Sequence, residues 1–242
     1  MQSGVKRTLL EQQPPPAGRD THHLRSPPKS SFNSHLLLCG LLNYRPEEEK
    51  KGGNKPPEVT LVDDPTPFDV QAEMTLKTNF FATRNVCTEL LPIIKPHGRV
   101  VNISSLQGSK ALENCSEELQ EKFRCEALTE EDLVDLMKKF VEDTKNEVHE
   151  REGWPNSAYG VSKLGVTVLS RIQARSLEEK RKVDRILLNA CCPGWVKTDM
   201  AGDFGSRTAE EGAKTPVYLA LLPPDATEPH GQLVRDKVVQ NW

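Results

Sequence analysis

The sequence predicts an α/β fold with a doubly wound parallel sheet, and three observations support this. Short apolar stretches with the composition of buried strands recur after residue 60. They alternate with longer segments whose apolar residues recur at helical spacing. Because whole helices separate the predicted strands, the strands should lie parallel with right-handed crossovers. Ligand chemistry is then expected at the carboxyl ends of the strands.

Residues 1–60 have a different composition. EQQPPPAGRDTHHLRSPPKSSFNSH and NYRPEEEKKGGNKPPE hold eight of the 18 prolines, together with runs of charge and no sustained period. Such a segment cannot bury enough apolar surface to offset its ordering entropy. The sequence therefore predicts a disordered segment over residues 1–60 and one folded domain over residues 61–242.

The first half of the folded domain is predicted to hold three helices and one strand. A helix over residues 72–94 ends near Pro96-His97-Gly98. The β-branched stretch GRVVNISS, residues 98–105, is the first strand. Two exposed amphipathic helices follow over residues 116–123 and 129–150, each with a Ser or Thr capping signature.

The second half alternates helix and strand. A long helix with a strongly apolar face spans residues 157–179, and RILLNACCPG, residues 185–194, is a second buried strand. A helix over residues 208–222 and a last strand over residues 231–240 complete the domain. This order of strands and helices is the basis of the parallel-sheet prediction.

Composition excludes several classes of function. A net charge of −3 and a pI near 6.1 argue against nucleic acid or an anionic membrane as partner. The six cysteines form no C-x-x-C pair and no metal-like spacing, so we expect free thiols in a reducing, cytoplasmic compartment and no metal site. The apolar run HLLLCGLL is too short for a signal peptide or a membrane span.

A phenol and an ammonium share one face of the predicted helix 157–179. Tyr159 and Lys163 are one turn apart, and a nearby positive charge favours the phenolate form of tyrosine. The spacing alone is weak evidence, since surface Tyr/Lys pairs are common. Ser105 at the end of one predicted strand and CCPGWVKTDM after the next add polar groups at the same edge of the sheet.

These residues lie in stretches that resemble a known family. DDPTPFD, LKTNFFATRNVCTELLP, GRVVNISS, NSAYGVSK and CCPGWVKTDM are similar to the carboxyl-terminal two-thirds of short-chain dehydrogenases/reductases, specifically vertebrate carbonyl reductases. The acidic insertion between Ser105 and Tyr159 adds to the resemblance, which runs from about Asp63 to Trp242. It implies a Rossmann-like domain that reduces quinones, aldehydes or ketones with NADPH. It also implies a monomer, because the insertion covers a surface that relatives use to associate.

By this resemblance Asn79, Ser105, Tyr159 and Lys163 match the family's catalytic tetrad. Tyr159 would give its proton to the developing alkoxide, and Ser105 would hydrogen-bond the same oxygen. Lys163 would hold the ribose hydroxyls of the cofactor, and Asn79 would support a water relay. Considered singly, Asn79 could instead bridge backbone groups and Ser105 could simply end a strand.

The resemblance also assigns the segment after the second strand. Val196, Lys197 and Thr198 match the cofactor-binding segment at the nicotinamide. Trp195 would line the substrate pocket, although alone it could be a core residue. Cys192 matches a reactive cysteine near the substrate or glutathione site.

The amino-terminal part departs from the family pattern. Family members begin with a strand and a Gly-x-x-x-Gly-x-Gly turn for the pyrophosphate, and this sequence contains no such motif. The basic residues that select the 2′-phosphate and the Asn-Asn-Ala-Gly turn are also missing, and PPEVTLVDD is the possible strand remnant. The first strands are thus missing or replaced. Two functions stay open: an NADPH-dependent carbonyl reductase, and a catalytically silent variant that acts as a binding or regulatory protein.

Overall fold

The computed structural model describes residues 35–38, 66–198, 201 and 205–242. The described strands form one five-stranded sheet in chain order, with parallel pairing along its first four strands and an antiparallel last pair. The strands are β1 His35–Leu38, β2 Arg99–Ile103, β3 Leu187–Cys192, β4 Leu233–Arg235 and β5 Val238–Val239. The predicted parallel α/β architecture is confirmed.

Strand β1 lies inside the segment for which the sequence predicts disorder. It pairs in parallel with β2, from His35 opposite Arg99 to Leu38 opposite Asn102. These four residues form a strand where the sequence predicts disorder. The stretch HLLL is apolar, and its backbone pairs with the donors and acceptors at the edge of β2. The rest of residues 1–60, and the possible strand remnant over residues 56–64, lie outside the described residues.

Helices cover both faces of the sheet. They are α1 Phe68–Thr75, α2 Ala82–Leu90, α3 Leu106–Glu113, α4 Glu117–Arg124, α5 Glu130–Lys145, α6 Ala158–Arg181 and α7 Ala209–Ala220. A π-helical segment, Leu76–Phe81, joins α1 to α2 without a break, and a 3₁₀ turn, Leu91–Ile93, follows. The single helix predicted over residues 72–94 is therefore correct in place, but it begins earlier and contains a π segment.

Alternation along the strands directs α6 and α7 to opposite faces. Val100 of β2 packs in one cluster with Ala174 and Leu177 of α6. The neighbouring residue Val101 packs in another cluster with Leu219 of α7. Successive side chains of a strand point to opposite faces, so the sheet is covered on both sides as in a doubly wound fold.

The carboxyl-terminal strand differs from the prediction. Instead of one strand over residues 231–240, β4 and β5 form an antiparallel hairpin. Asp236 and Lys237 join them with φ angles of 53° and 63°. Two consecutive positive φ values match the tight two-residue turn that suits the twist of a hairpin. The sequence signal was weak because neither turn residue is glycine or asparagine.

Helix α3 was not predicted from the sequence. Gly108 is its third residue, and inside a helix glycine is less favourable than alanine by about 1 kcal/mol. A Cβ on Gly108 would lie 2.7 Å from the backbone nitrogen of Leu164. The same glycine thus lets α3 pack closely on α6, and this tertiary contact outweighs the poor propensity.

The insertion between β2 and α6 folds onto the domain. Phe123, Phe140 and Trp154 belong to its buried cluster, and Trp154 Nε1 donates to Asp143 Oδ2 at 2.8 Å. Both predicted helices are confirmed as α4 and α5. Only α5 has the complete capping box, because the position three residues after the α4 cap is Leu119 rather than an acid.

Candidate active site

Strand β2 ends at two serines that have different surroundings. Ser104 is buried, donates to Lys163 O at 2.9 Å and lies 2.6 Å from the Thr167 hydroxyl. It therefore ties the end of β2 to α6. Ser105 is half-buried and caps α3, its Oγ accepting from the Gln107 amide at 3.2 Å. Ser105 is the serine whose hydroxyl is within reach of a ligand.

Helix α6 carries Tyr159 and Lys163 one turn apart, as their spacing predicts. Lys163 is 1% exposed, and its Nζ donates to the carbonyl of Ile103 at 2.9 Å. The same ammonium lies 5.7 Å from the centroid of the Tyr159 ring. Because the ammonium is anchored at the end of β2, its positive charge is held beside the tyrosine ring.

Asn79 lies in the π-helical segment and contacts α6. Its side chain is fully buried, and its Nδ2 donates to Ser162 Oγ at 3.0 Å. Ser162 in turn donates to Tyr159 O at 2.8 Å. Within the described part of the chain, Asn79 Oδ1 has no hydrogen-bond partner. A buried acceptor of this kind is a position for an ordered water, and π-helical turns often occur at functional sites.

Two glycines permit the close approach of α3 and α6. A Cβ on Gly160 would lie 2.9 Å from Ala111 Cβ and 3.1 Å from Gln107 O, while one on Gly108 would meet the backbone of Lys163 at 2.8 Å. The start of α3, where Ser105 lies, is therefore held against the start of α6, where Tyr159 lies. Larger side chains at either glycine would separate the two helices.

The loop after β3 is held by backbone contacts with Arg207. Trp195 O accepts from the Arg207 amide at 3.0 Å, and the Lys197 amide donates to Arg207 O at 2.8 Å. Val196 forms an isolated parallel bridge with Arg207. Thr198 is exposed and follows directly. The three residues predicted at the nicotinamide thus lie in one backbone segment that Arg207 holds in place.

The adjacent cysteines of β3 point to opposite faces. Cys192 belongs to a buried cluster against which Leu106 and Trp242 pack. Cys191 lies on the α7 face, and burial raises the pKa of its thiol far above its ordinary value. Cys192 is therefore the cysteine on the same face as Leu106, the residue after Ser105. Its cluster is apolar, and Cys192 is 5% exposed.

Trp195 has a buried polar atom that sequence reasoning did not find. Its ring nitrogen is buried and has no partner among the residues described. A buried N–H without an acceptor is costly, so the atom marks a position where a ligand or water acceptor would bind. The hypothesis that Trp195 is simply a core residue does not explain why its ring nitrogen has no acceptor among the described residues.

Sequence reasoning also missed Ser162 and Gly108. Ser162 connects Asn79 to the Tyr159 carbonyl, and its position three residues after Tyr159 on one helix was a signal that could have identified it. Gly108 offered no such signal, because its role depends on the approach of α6.

The side chains of the candidate site are groups that can donate or accept protons. The Lys163 ammonium and Ser105 lie at the carboxyl end of β2, and Tyr159 lies on α6 beside Lys163. The described ranges contain no group of three His, Cys, Asp or Glu side chains placed to hold a metal ion. Within the same ranges, the helices are too short or too polar to cross a bilayer.

Comparison with curated proteins relates the chain to carbonyl reductases. It is 88% identical over 181 residues to "Carbonyl reductase [NADPH] 3" of Rattus norvegicus and 82% identical over 180 residues to that of Homo sapiens. Against "Carbonyl reductase [NADPH] 1" of Homo sapiens it is 70% identical over 181 residues. These matches cover 75%, 74% and 75% of this chain, respectively. The chain spans 65% of the length of each relative.

Solved structures show the same fold. Salutaridine reductase from Papaver somniferum matches with a TM-score of 0.60 at 33% identity, over 68% of this chain and 54% of that protein. The menthone neomenthol reductase from Mentha piperita matches with a TM-score of 0.55 at 29% identity, over 73% and 53%. No protein-family model matches the chain.

Proposed function

We propose that this chain is a member of the short-chain dehydrogenase/reductase family related to the vertebrate carbonyl reductases, and that it carries the catalytic centre for NADPH-dependent reduction of carbonyl compounds to alcohols. Quinones, aldehydes and ketones are the proposed substrates. The names of these relatives specify NADPH as the cofactor. The chain covers 65% of the length of the rat relative.

The contact between α6 and the end of β2 carries this proposal. Lys163 is anchored to Ile103 O beside the Tyr159 ring, and Ser105 begins the helix that packs on the same stretch of α6. Asn79 reaches this stretch through Ser162. We infer that these four side chains, which come from three separate stretches of the chain, form one site at the edge of the sheet where parallel α/β proteins bind their ligands.

Tyr159 would act as the general acid in the proposed reaction. NADPH, when bound, supplies the hydride that the carbonyl carbon accepts. Tyr159 gives its phenolic proton to the carbonyl oxygen, which completes the alcohol, and the Lys163 charge stabilises the phenolate that remains. Ser105 donates a hydrogen bond to the same oxygen as its negative charge develops. Asn79 Oδ1 would hold a water that returns a proton to the site.

The nicotinamide half of the cofactor fits the residues present. Lys163 would hold the ribose hydroxyls, and the backbone of residues 196–198 would contact the carboxamide. The pyrophosphate half is different, because the sequence has no Gly-x-x-x-Gly-x-Gly turn to place backbone amides around it. Loss of three charge-assisted hydrogen bonds of roughly 1.5 to 3 kcal/mol each would weaken binding by about three to six orders of magnitude.

Two matched proteins test the proposal. The first is the chain itself, and the second is a hybrid in which residues 66–242 follow the amino-terminal third of the rat relative. NADPH binding is measured by isothermal titration, and turnover by menadione-dependent loss of nicotinamide absorbance. We expect the hybrid to bind and turn over, and the chain alone to do neither at millimolar NADPH.

The outcomes separate catalysis from cofactor binding. A hybrid that binds NADPH but reduces no carbonyl compound would refute the proposed tetrad. Micromolar binding by the chain alone would show that its own amino-terminal residues supply a phosphate site. The alternative of a catalytically silent variant remains for the chain alone, whereas its identity to NADPH reductases favours the enzymatic reading of residues 66–242.

The remaining expectations are also proposals. α5 packs against α1 and α6, which supports a monomer, and light scattering of the purified chain tests it. A glutathione site near Cys192 is supported by the buried and unpartnered Trp195 ring nitrogen, within the described residues. Free thiols at all described cysteines are compatible with the cytoplasm as the proposed location.

A further inference from the structure

The backbone of Arg207, just before α7, pairs with the loop that follows β3. Its amide donates to Trp195 O at 3.0 Å, and its carbonyl accepts from the Lys197 amide at 2.8 Å. This is the pattern of a parallel bridge centred on Val196. Such a bridge uses alternate peptide groups, so the Val196 N–H and C=O point away from Arg207. Arg207 therefore sets which peptide groups of the proposed nicotinamide loop can face a ligand.

The side chain of Arg207 contacts the start of the same loop. Its guanidinium donates to both carboxylate oxygens of Asp236, at 2.5 and 2.9 Å, and lies 3.5 Å from Pro193 O. Gly194 has a φ angle of 83°, and a Cβ there would lie 2.8 Å from Arg207 Nε. The guanidinium thus lies against the Gly194 backbone, where glycine alone accommodates both the close approach and the left-handed conformation. This contact gives the glycine of CCPGWVKTDM a structural reason.

Asp236 connects this arrangement to the sheet. It belongs to the turn between β4 and β5, and hydrogen bonds from Arg207 lower the pKa of its carboxyl. Arg235 Nε also lies 3.4 Å from this carboxylate, but the Arg235 backbone pairs with Cys192 and not with the loop. Arg207 is therefore the residue that joins the β4–β5 turn to the loop after β3.

Exposure limits the energy of the ion pair. The side chains of Arg207 and Asp236 are 25% and 52% exposed. Ion pairs at such positions contribute modestly to stability and are screened by salt. A bidentate fork nevertheless fixes the orientation of the guanidinium, so the main consequence of this pair is geometric.

We propose that Arg207 is a positioning residue for NADPH. Asp236 holds its guanidinium against Gly194, and its backbone then presents the Val196 peptide groups to the nicotinamide carboxamide. The inference rests on the proposed function, which places the carboxamide at this loop. Arg207 acts through residues 195–197 and not on the reacting atoms, so loss of the ion pair weakens cofactor binding and leaves the chemical step unchanged.

Hydrogen exchange in the full chain without cofactor tests whether the ion pair holds the loop. Asp236→Asn removes the charge, keeps the size of the side chain and suits the left-handed conformation at this position. The amides of Lys197 and Arg207 should exchange about three to five times faster, because the pair is broken whenever the bridge opens. The Asn146 amide, which donates to Glu142 O at the end of α5, should exchange as in the parent chain. Salt at about 1 M should reduce the difference between the two chains.

Titration and kinetics of the hybrid test the consequence for the cofactor. Asp236→Asn should raise the Kd for NADPH about three- to fivefold and leave kcat at saturating NADPH nearly unchanged. Arg207→Lys keeps a charge for Asp236 but loses the fork, so its Kd should be intermediate. Asp225→Asn removes an equal charge from an exposed position after α7 and should change neither quantity.

Three results would overturn the proposal. The first is that Asp236→Asn leaves the amides of Lys197 and Arg207 as protected as in the parent chain. The second is that the Asn146 amide accelerates as much as they do, and the third is that kcat falls while the Kd for NADPH stays the same. A hybrid without activity would refute the proposed function, whereas exchange in the chain alone still decides whether the ion pair holds the loop.

Discussion

Replacement of Arg99 is expected to destabilise the fold strongly. Arg99 begins β2 and is 1% exposed, and its guanidinium bonds to five backbone carbonyls rather than to a carboxylate. The acceptors come from three segments: the turn before β2, the residue that precedes β3 by two positions, and the chain after α7. They are His97, Gly98, Arg185, Leu222 and Pro223, the first four at 3.1, 3.0, 2.9 and 3.3 Å.

The expected loss follows from these contacts. Hydrogen bonds to a charged group contribute about 1.5 to 3 kcal/mol each. Their sum is reduced by the cost of burying the guanidinium, which is several kcal/mol. Arg99→Met fills part of the volume but removes the donors of five carbonyls, of which Gly98 O and Pro223 O keep one backbone donor each. We therefore expect a loss of about 3 to 5 kcal/mol, a large fraction of the roughly 5 to 15 kcal/mol that stabilises a domain.

Urea unfolding followed by circular dichroism measures this loss. The midpoint should fall while the slope stays the same, since the surface exposed on unfolding is nearly unchanged. Arg99→Lys keeps the charge but has three donors, so its loss should be about half as large. Arg151→Met, at a side chain 75% exposed, should change stability by less than about 0.5 kcal/mol. A loss below about 1 kcal/mol for Arg99→Met would refute the reasoning.

Three further predictions concern the site, the contact between α3 and α6, and the Arg207–Asp236 ion pair. In the hybrid described above, Tyr159→Phe should lower turnover by about 100-fold or more with little change in NADPH affinity, and retention of most of the turnover would exclude Tyr159 as the acid. Gly108→Ala should cost about 1 to 3 kcal/mol in urea unfolding, because its Cβ would lie 2.7 Å from the Leu164 nitrogen; equal midpoints would show that α3 moves without cost. Arg207 lowers the pKa of the Asp236 carboxyl, so this contribution to stability is complete above the ordinary value of 3.8 and is lost as pH falls through the lower folded value. The midpoints of the parent and of Asp236→Asn should therefore converge below about pH 4, and a constant difference would contradict the assignment.

Local signals in the sequence were sufficient for most elements after residue 66. The periodic apolar face was sufficient to place α6, and the predicted helix over residues 208–222 contains α7. The approach of Lys163 to the Tyr159 ring was equally predictable, since both residues lie on one helix and its geometry sets their separation. The parallel order of β2, β3 and β4 followed from the long helical connections.

Four features could not be read from local signals. The π segment around Asn79, helix α3, the turn between β4 and β5, and the pairing of β1 with β2 depend on residues far along the chain. Gly108 illustrates the reason. In isolation it weakens a helix, and it supports α3 only because Leu164 of α6 leaves no space for a Cβ.

The sequence by itself determined the chemical groups and their placement on helices and strands, because these depend on side-chain type and on spacing within one element. It also determined the parallel order of the sheet, because long helical segments connect the strands. The tertiary structure alone decided which groups meet. Asn79 reaches Ser162 across 83 positions of the chain, and Lys163 reaches Ile103 across 60. Arg207 reaches Asp236 of the β4–β5 turn across 29 positions. Such contacts depend on the packing of whole elements against one another, and no local pattern of residues encodes that packing.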